Sequence, residues 1–415
     1  MIVLLDHLVR KVMKRTGWLT VIDANGRAHD FKVTGEPHVT IRLHDKALHT
    51  SLFFNAALKV GEAYMDGSLT IEDGDIYDFL DLVFANLGWV QPTDLGIVAG
   101  SLARLMHWFQ TYNPVGRSKE NVAHHYDLSG RLYDLFLDVD RQYSCAYFTD
   151  PDNTLEQAQL DKKTHIAAKL LLKPEHRVLD IGCGWGGLGL YINEVSGADV
   201  TGITLSEEQL AVAGERVSSQ HKGKVRFELQ DYRQVNAKFD RIVSVGMFEH
   251  VGYPQYSTFF EKAADLLADD GVMLLHTIGR ADGPGITNPW IRKYIFPGGY
   301  SPALSEILPF IEKARLTVTD IEVLRLHYAE TLKNWRARFL ANIEEVRDIY
   351  DDRFCRMWEF YLAASEVTFR HAGHVVFQIQ IAKRQEDVPL TRDYITDWER
   401  HIHAKSKTAG SRAAE

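Results

Sequence analysis

The feature that most restricts this 415-residue chain is an alternation that begins near residue 174. Strand-like runs at 177–181, 198–205, 225–229, 239–245 and 272–278 are mostly separated by stretches of helical periodicity, at 188–195, 207–217 and 256–268. Repeated strand–helix units of this length predict a parallel sheet covered by helices on both faces, because each crossover must return the chain to run in the same direction. The first strand runs into a glycine turn, with Gly182, Gly184 and Gly187, that opens the next helix. That spacing alone admits a dinucleotide. A nicotinamide site, however, would carry an acidic residue at the end of the second strand to hold a ribose hydroxyl. Here that strand ends Gly202-Ile-Thr-Leu-Ser206, with no carboxylate before the following helix.

Asp180 lies just before the glycines, where its carboxylate can face a cation. S-adenosylmethionine suits that placement, since it carries a sulfonium and an ammonium and no phosphate. Cys183 belongs to the same turn, and the second and fourth strands end at Thr204, Leu205 and Val245, which complete the expected cofactor pocket. Ser206 and Gln209 have the spacing of a capping box, and Gln209 is also within reach of the nucleoside. Asp231, after the third strand, is placed to accept from an adenine amino group while Tyr232 packs near the ring.

The rest of the chain divides around this unit. Residues 1–90 read as a small mixed α/β domain. It opens with an amphipathic helix at 2–15 carrying Arg10, Lys11, Lys14 and Arg15, followed by strands at 17–22, 28–33 and 39–43. Asn25-Gly26 supplies a hairpin turn, and helical material continues to Leu87. Residues 91–120 read as a linker and a second amphipathic helix, with Leu102, Leu105, Met106 and Phe109 on one face. A catalytic domain is expected over 121–400, helical at 332–370 with a strand at 375–382, and a polar tail over 401–415 that is disordered beyond Lys405.

Composition narrows the function. A net charge of −9 argues against wholesale binding to nucleic acid, so any membrane contact must come from local basic patches. Three cysteines without metal-ligand spacing predict no metal, no disulfide framework and a reducing compartment. No run approaches the roughly 18 apolar residues of a membrane span. The apolar N-terminus is too short for a signal-peptide core and is interrupted by Asp6. The expectation is a cytoplasmic protein, peripherally associated with the inner membrane face.

Motifs outside the glycine turn are more specific. They are His125 to Ser129 (HYDLS), Tyr143 to Phe148 (YSCAYF), 179–186 (LDIGCGWG), 244–250 (SVGMFEH), 274–279 (LLHTIG) and 288–297 (NPWIRKYIFP). In content and order, from about residue 120 to 385, the chain resembles the cyclopropane-fatty-acyl-phospholipid synthases and the related mycolic acid cyclopropane synthases. The resemblance implies a Rossmann-like methyltransferase domain with a seven-stranded, mostly parallel sheet ending in an antiparallel strand. It also implies S-adenosylmethionine and bicarbonate as cofactors, an unsaturated phospholipid as substrate, and a homodimer.

The same resemblance implies the site. An alkene is a weak nucleophile, so the donor must be aligned and kept from water. The carbocation formed then suits aromatic surroundings, and a base must take a proton from the new methyl group so that the ring closes. In the family that base is a bound bicarbonate. Mapped onto this chain, Glu249 would hydrogen-bond the ion and share its proton, and His276 would orient it. The Cys145 amide and the Ile278 backbone would contact it, and Tyr328 would add a hydroxyl. Tyr143 and Ser144 would meet the methionine part of the donor, and Tyr126 would line the approach to the alkene. Many relatives carry a cysteine where this chain has Ser365, a change that leaves a mechanism without a thiol nucleophile intact. Open alternatives are a methyl-branched or methylene product, a lipid-binding module without activity, and another methyltransferase class.

Overall fold

The computed structural model describes residues 2–88, 129–218, 221 and 223–413. In the N-terminal part, β1 (Trp18–Ile22) pairs antiparallel with β2 (Ala28–Lys32) and parallel with β3 (His38–Leu43). The hairpin forms where Asn25-Gly26 predicts it. Gly26 adopts a φ of 81°, and the Asp23 carboxylate accepts from the Asn25 and Arg27 amides at 2.8 and 3.1 Å. The edge strand β4 (Leu69–Asp73) lies in a stretch expected to be helical; it is short and buries only Leu69 fully, which leaves little periodic signal.

Helices α1 (Ile2–Val12), α2 (Leu48–Met65) and α3 (Ile76–Leu87) accompany this sheet. The first helix ends earlier than the expected residue 15 because Asn86 intervenes. Its side-chain oxygen accepts from the backbone amides of Lys14, Arg15 and Thr16 at 3.0, 2.7 and 3.1 Å, which holds the chain out of the helix.

The second unit is built on a seven-stranded sheet in the order β10-β11-β9-β8-β5-β6-β7. Its strands are β5 (Arg177–Ile181), β6 (Asp199–Thr204), β7 (Val225–Leu229), β8 (Phe239–Val245), β9 (Leu267–Arg280), β10 (Thr317–Leu324) and β11 (His374–Ala382). Strands β5 to β9 run parallel, and β11 is antiparallel to both neighbours, as the sequence implies for 375–382. The strand absent from the sequence reading is β10, an edge strand whose mixed polar run is only half-buried over most of its length. Alternate residues of one strand serve opposite faces. Leu179, Ile242 and Met273 join one core, and Val178, Val243 and Leu274 the other.

Around this sheet lie α4 (Gly130–Phe136), α5 (Leu155–Lys169), α6 (Gly187–Ser196), α7 (Glu207–Glu215), α8 (Tyr256–Leu266), α9 (Pro289–Tyr294) and α10 (Leu304–Lys313). Beyond them come α11 (His327–Ala341), α12 (Ile343–Ile349), α13 (Asp352–His371) and α14 (Asp393–Ala413). The tail expected to be disordered is therefore corrected, since α14 runs on through it.

The N-terminal unit docks on α9 and α13. Gly61 lets α2 approach Trp290 so closely that a Cβ there would lie 2.5 Å from the indole. Around that contact, Glu62 accepts from Lys293 and Tyr294, Tyr64 donates to Glu359 at 2.8 Å, and His371 meets Asp81 at 2.7 Å.

Gly202 in β6 has a similar steric reason. A Cβ there would sit 2.6 Å from the Phe227 ring and 2.9 Å from the Cys183 Cβ, between the sheet and the glycine turn. Gly202→Ala is expected to destabilise the protein by roughly 1–3 kcal/mol, read as a lower urea midpoint. An unchanged midpoint would show that the ring moves aside without cost.

Candidate active site

A cleft opens at the C-terminal ends of β5, β6 and β8, where the order of strands in the sheet reverses and open α/β folds place their ligands. Each element around it contributes residues singled out in the sequence. The segment before α5 supplies Tyr143 and Ser144. From β5 and its turn come Asp180, Gly182, Cys183 and Gly184, and the end of β6 and the start of α7 give Thr204, Leu205 and Gln209. Asp231 and Tyr232 follow β7, and Val245 ends β8. Gly182 and Gly184 turn with φ of 84° and 55°, a region open mainly to glycine.

The polar groups of the cleft are differently engaged. Asp180 is buried, its Oδ2 has no hydrogen-bond partner among the described residues, and burial pushes its carboxyl up to about 7. Asp231 is held by Arg233, which donates to both carboxylate oxygens at 2.8 and 2.6 Å. The capping box at 206–209 is only half formed. Ser206 Oγ accepts from the Gln209 amide at 3.2 Å, but the Gln209 side chain instead accepts from Thr204 Oγ1 at 2.9 Å, which turns it into the cleft wall.

The sequence reading missed Lys162. This α5 lysine is buried, and its ammonium donates to Gln142 Oε1 at 2.6 Å and Ser144 Oγ at 2.9 Å, two groups that line the cleft. Burial lowers its pKa to about 8, and Asp138 and Asp140 oppose that fall. Little in the sequence marks it, because α5 has no clear apolar stripe against which a charge would stand out. The loop it grips is pinned on its other side, where Asp140 pairs with Lys163 and Arg216.

The five catalytic candidates lie beside this cleft rather than on its wall. Glu249 sits in a 3-10 turn after β8, between the cleft residues Met247 and His250 and the end of β9. The Ile278 amide, expected to serve an anion, donates to Glu249 Oε1 at 2.6 Å. Glu249 Oε2 is buried with no partner among the described residues, and burial raises the carboxyl to about 7. His276, on β9 opposite Val245 of β8, is buried, and its Nδ1 lies 3.2 Å from Gln378 Nε2. Cys145 is buried, with its thiol pKa raised by burial, which disfavours a nucleophilic thiolate.

The amide of Ala146, next to Cys145, donates to Thr331 at 3.0 Å, docking this segment on α11, the helix that carries Tyr328. Tyr328 is buried against Phe369 and Trp335, with ring centroids 4.8 and 5.8 Å away. Trp335 also lies 5.2 Å from Tyr143, so one aromatic cluster reaches from Tyr328 to the cleft. Ser365 is half-buried on α13. Tyr126 and the helix expected around 102–109 lie outside the described residues.

Comparison with known proteins bears on this geometry. Residues 115–379 match the family model described as mycolic acid cyclopropane synthetase, and residues 8–89 match a domain of unknown function. The chain is 38% identical over 366 residues to a cyclopropane-fatty-acyl-phospholipid synthase of Escherichia coli K12, covering 86% of this chain and 91% of that protein. It is 34% identical over 385 residues to a probable fatty acid methyltransferase of Pseudomonas putida, covering 88% and 93% respectively. Among solved structures, mycolic acid cyclopropane synthase CmaA1 complexed with SAH and CTAB superposes with a TM-score of 0.61. It is 35% identical, covering 65% of this chain and 99% of that one.

The state of Asp180 gives a pH dependence. A bound cation favours the carboxylate, so binding lowers a pKa that stands near 7 in the free protein. Affinity for S-adenosylmethionine should be full above pH 7 and weaken below it, by up to about tenfold per pH unit. Asp180→Asn should bind weakly and without that slope in calorimetry. A variant that keeps the slope would assign the titration to another group.

Proposed function

The chain belongs to the mycolic acid cyclopropane synthetase family and is an S-adenosylmethionine-dependent methyltransferase, and we propose that it closes a cyclopropane ring on the cis double bond of unsaturated phospholipid acyl chains. The observation that carries this reading is Glu249, a carboxyl group buried beside the donor cleft with one oxygen left unpartnered and a pKa near neutrality. A methyltransferase acting on an oxygen or nitrogen can lose its proton to water, whereas ring closure must take one from a carbon-bound methyl group within a closed site.

The donor chemistry fits what surrounds the cleft. S-adenosylmethionine, when bound, supplies an electrophilic methyl group on a sulfonium. Asp180 supplies the buried negative charge that a cationic ligand needs, and Asp231 and Gln209 are placed for the nucleoside. Lys162 holds Ser144 and Gln142 in place on the side facing Asp180.

The steps then fall to this chain's own groups. One alkene carbon bonds to the methyl carbon as the methyl–sulfur bond breaks and S-adenosylhomocysteine leaves, and the cation left on the other alkene carbon is stabilised by faces of the Tyr143, Trp335, Tyr328 and Phe369 cluster. One proton leaves the new methyl group, the electron pair of the broken C–H bond closes the three-membered ring, and Glu249 receives the proton. The orphaned Oε2 of Glu249 fits a bicarbonate in that place, which would supply the immediate base, with His276 and Tyr328 as its further contacts.

Glu249→Gln should lower kcat by on the order of 10²–10⁴ while calorimetry finds S-adenosylmethionine bound as in the wild type. With donor saturating, the wild-type rate should rise with pH through about 7, because only the ionised carboxylate can accept the proton. Normal turnover in the variant would reject the role. Products identify the reaction: mass spectrometry should show acyl chains heavier by one methylene and resistant to hydrogenation. A methyl-branched or methylene product would overturn ring closure.

The same reading requires access to a bilayer, for which α1 and the segment that follows it offer exposed Arg10, Lys11, Lys14 and Arg15 beside an exposed Val3. Each such charge contributes roughly 1 kcal/mol near an anionic surface. Changing all four to Gln should weaken sedimentation with anionic vesicles. Undiminished binding would remove α1 from the docking surface. A homodimer, measured by light scattering, is the assembly expected.

A further inference from the structure

Behind the proposed proton-transfer site, three strands place polar side chains in one rank. His276 of β9 stands directly opposite Gln378 of β11, and Gln378 stands opposite Glu322 of β10. Helix α5 covers this rank with His165 and Lys169. The Lys169 ammonium, fully buried, donates to Gln378 Oε1 at 2.8 Å and to Glu322 Oε2. His165 meets Glu322 through Nε2 and Glu399 of α14 through Nδ1, both at 2.6 Å. Gln378 is itself fully buried, and its amide nitrogen lies 3.2 Å from His276 Nδ1.

The donors in this rank can be arranged in only one way. An ammonium has three donors and no acceptor, so the amide of Gln378 must turn its oxygen toward Lys169. Its NH2 group then faces His276. A hydrogen on His276 Nδ1 would set donor against donor in a buried space, so Nδ1 must be the bare, accepting nitrogen. That excludes the imidazolium as well as the Nδ1–H tautomer. Burial and the nearby Lys162 and Lys169 charges also hold the His276 pKa well below its usual range. Glu322 keeps the arrangement polarised, since its carboxylate holds the ammonium in place.

We infer that Lys169 and Gln378 are positioning residues that fix His276 as the neutral Nε2–H tautomer, so that it presents a hydrogen-bond donor to an anion. Glu249 is a carboxylate or carboxyl group a short way along the same edge of the sheet. A neutral histidine donor can hold an anionic base there without competing with it for the proton. The tautomer stands on the hydrogen-bond geometry alone. Its consequence for the reaction rests on the role proposed above for His276.

The test is nitrogen NMR of the full-length protein labelled with 15N-histidine, with the His276 signals assigned by their loss in His276→Gln. Across about pH 6–8, Nδ1 should remain unprotonated and Nε2 protonated. Gln378→Glu replaces the donor facing Nδ1 with a carboxylate and should move the proton onto Nδ1. Gln378→Met, which offers no partner, should give a mixture of tautomers. A protonated Nδ1 in the wild type, or an unchanged tautomer in Gln378→Glu, would overturn the inference. In activity, Gln378→Glu should lower kcat by about tenfold to a thousandfold with KM for the donor unchanged. Normal turnover in a variant whose tautomer has reversed would leave the tautomer assignment standing and instead sink the proposed role of His276.

Discussion

Burying a carboxyl oxygen without a partner costs free energy that local contacts do not return, and this fold does so at Asp180 and again at Glu249. Asp180 is the penultimate residue of β5, and Glu249 follows the end of β8, the adjacent parallel strand. Most of the surrounding structure serves to hold them there. The glycine turn brings the backbone around Asp180. The Ile278 amide at the end of β9 holds one oxygen of Glu249 and leaves the other open. The shared cause of their raised pKa values is burial, and neutrality is where a donor-binding group and a proton acceptor can each change state during turnover.

The cations near these carboxylates are kept apart from them. Lys162 acts on Asp180 only through space, because its hydrogen bonds go to Gln142 and Ser144. Lys169 is committed to Glu322 and Gln378. Helix α5 thereby brings positive charge near the cleft without pairing directly with either carboxylate. A direct ion pair to either carboxylate would lower its pKa and remove its ability to exchange a proton near neutral pH.

The sequence made the lining of the cleft readable because its signals are local. A strand, a glycine turn and a helix must be contiguous, and Thr204, Gln209, Asp231 and Val245 follow from where the next strands end. Glu249 and Ile278, distant in sequence, could be paired only through a family resemblance. Lys162 and Lys169 escaped notice because α5 is buried on nearly every side and shows no clear apolar stripe. Gln378 sits in a strand that reads as apolar, and nothing local marks it as a partner of His276. The edge strands β4 and β10 were missed for the opposite reason. Their outer faces are polar, and pairing with a neighbour rather than local pattern makes them strands.

Ring closure as proposed requires that a proton be taken from the transferred methyl group inside the site. Running the reaction with S-adenosylmethionine carrying a fully deuterated methyl group tests it directly, by mass spectrometry of the modified acyl chains. Ring closure predicts a product that retains two of the three deuteriums, with cyclopropane resonances in its NMR spectrum. A product that retains all three would show that the methyl group is never deprotonated, and would leave the buried carboxyl of Glu249 without the role assigned to it.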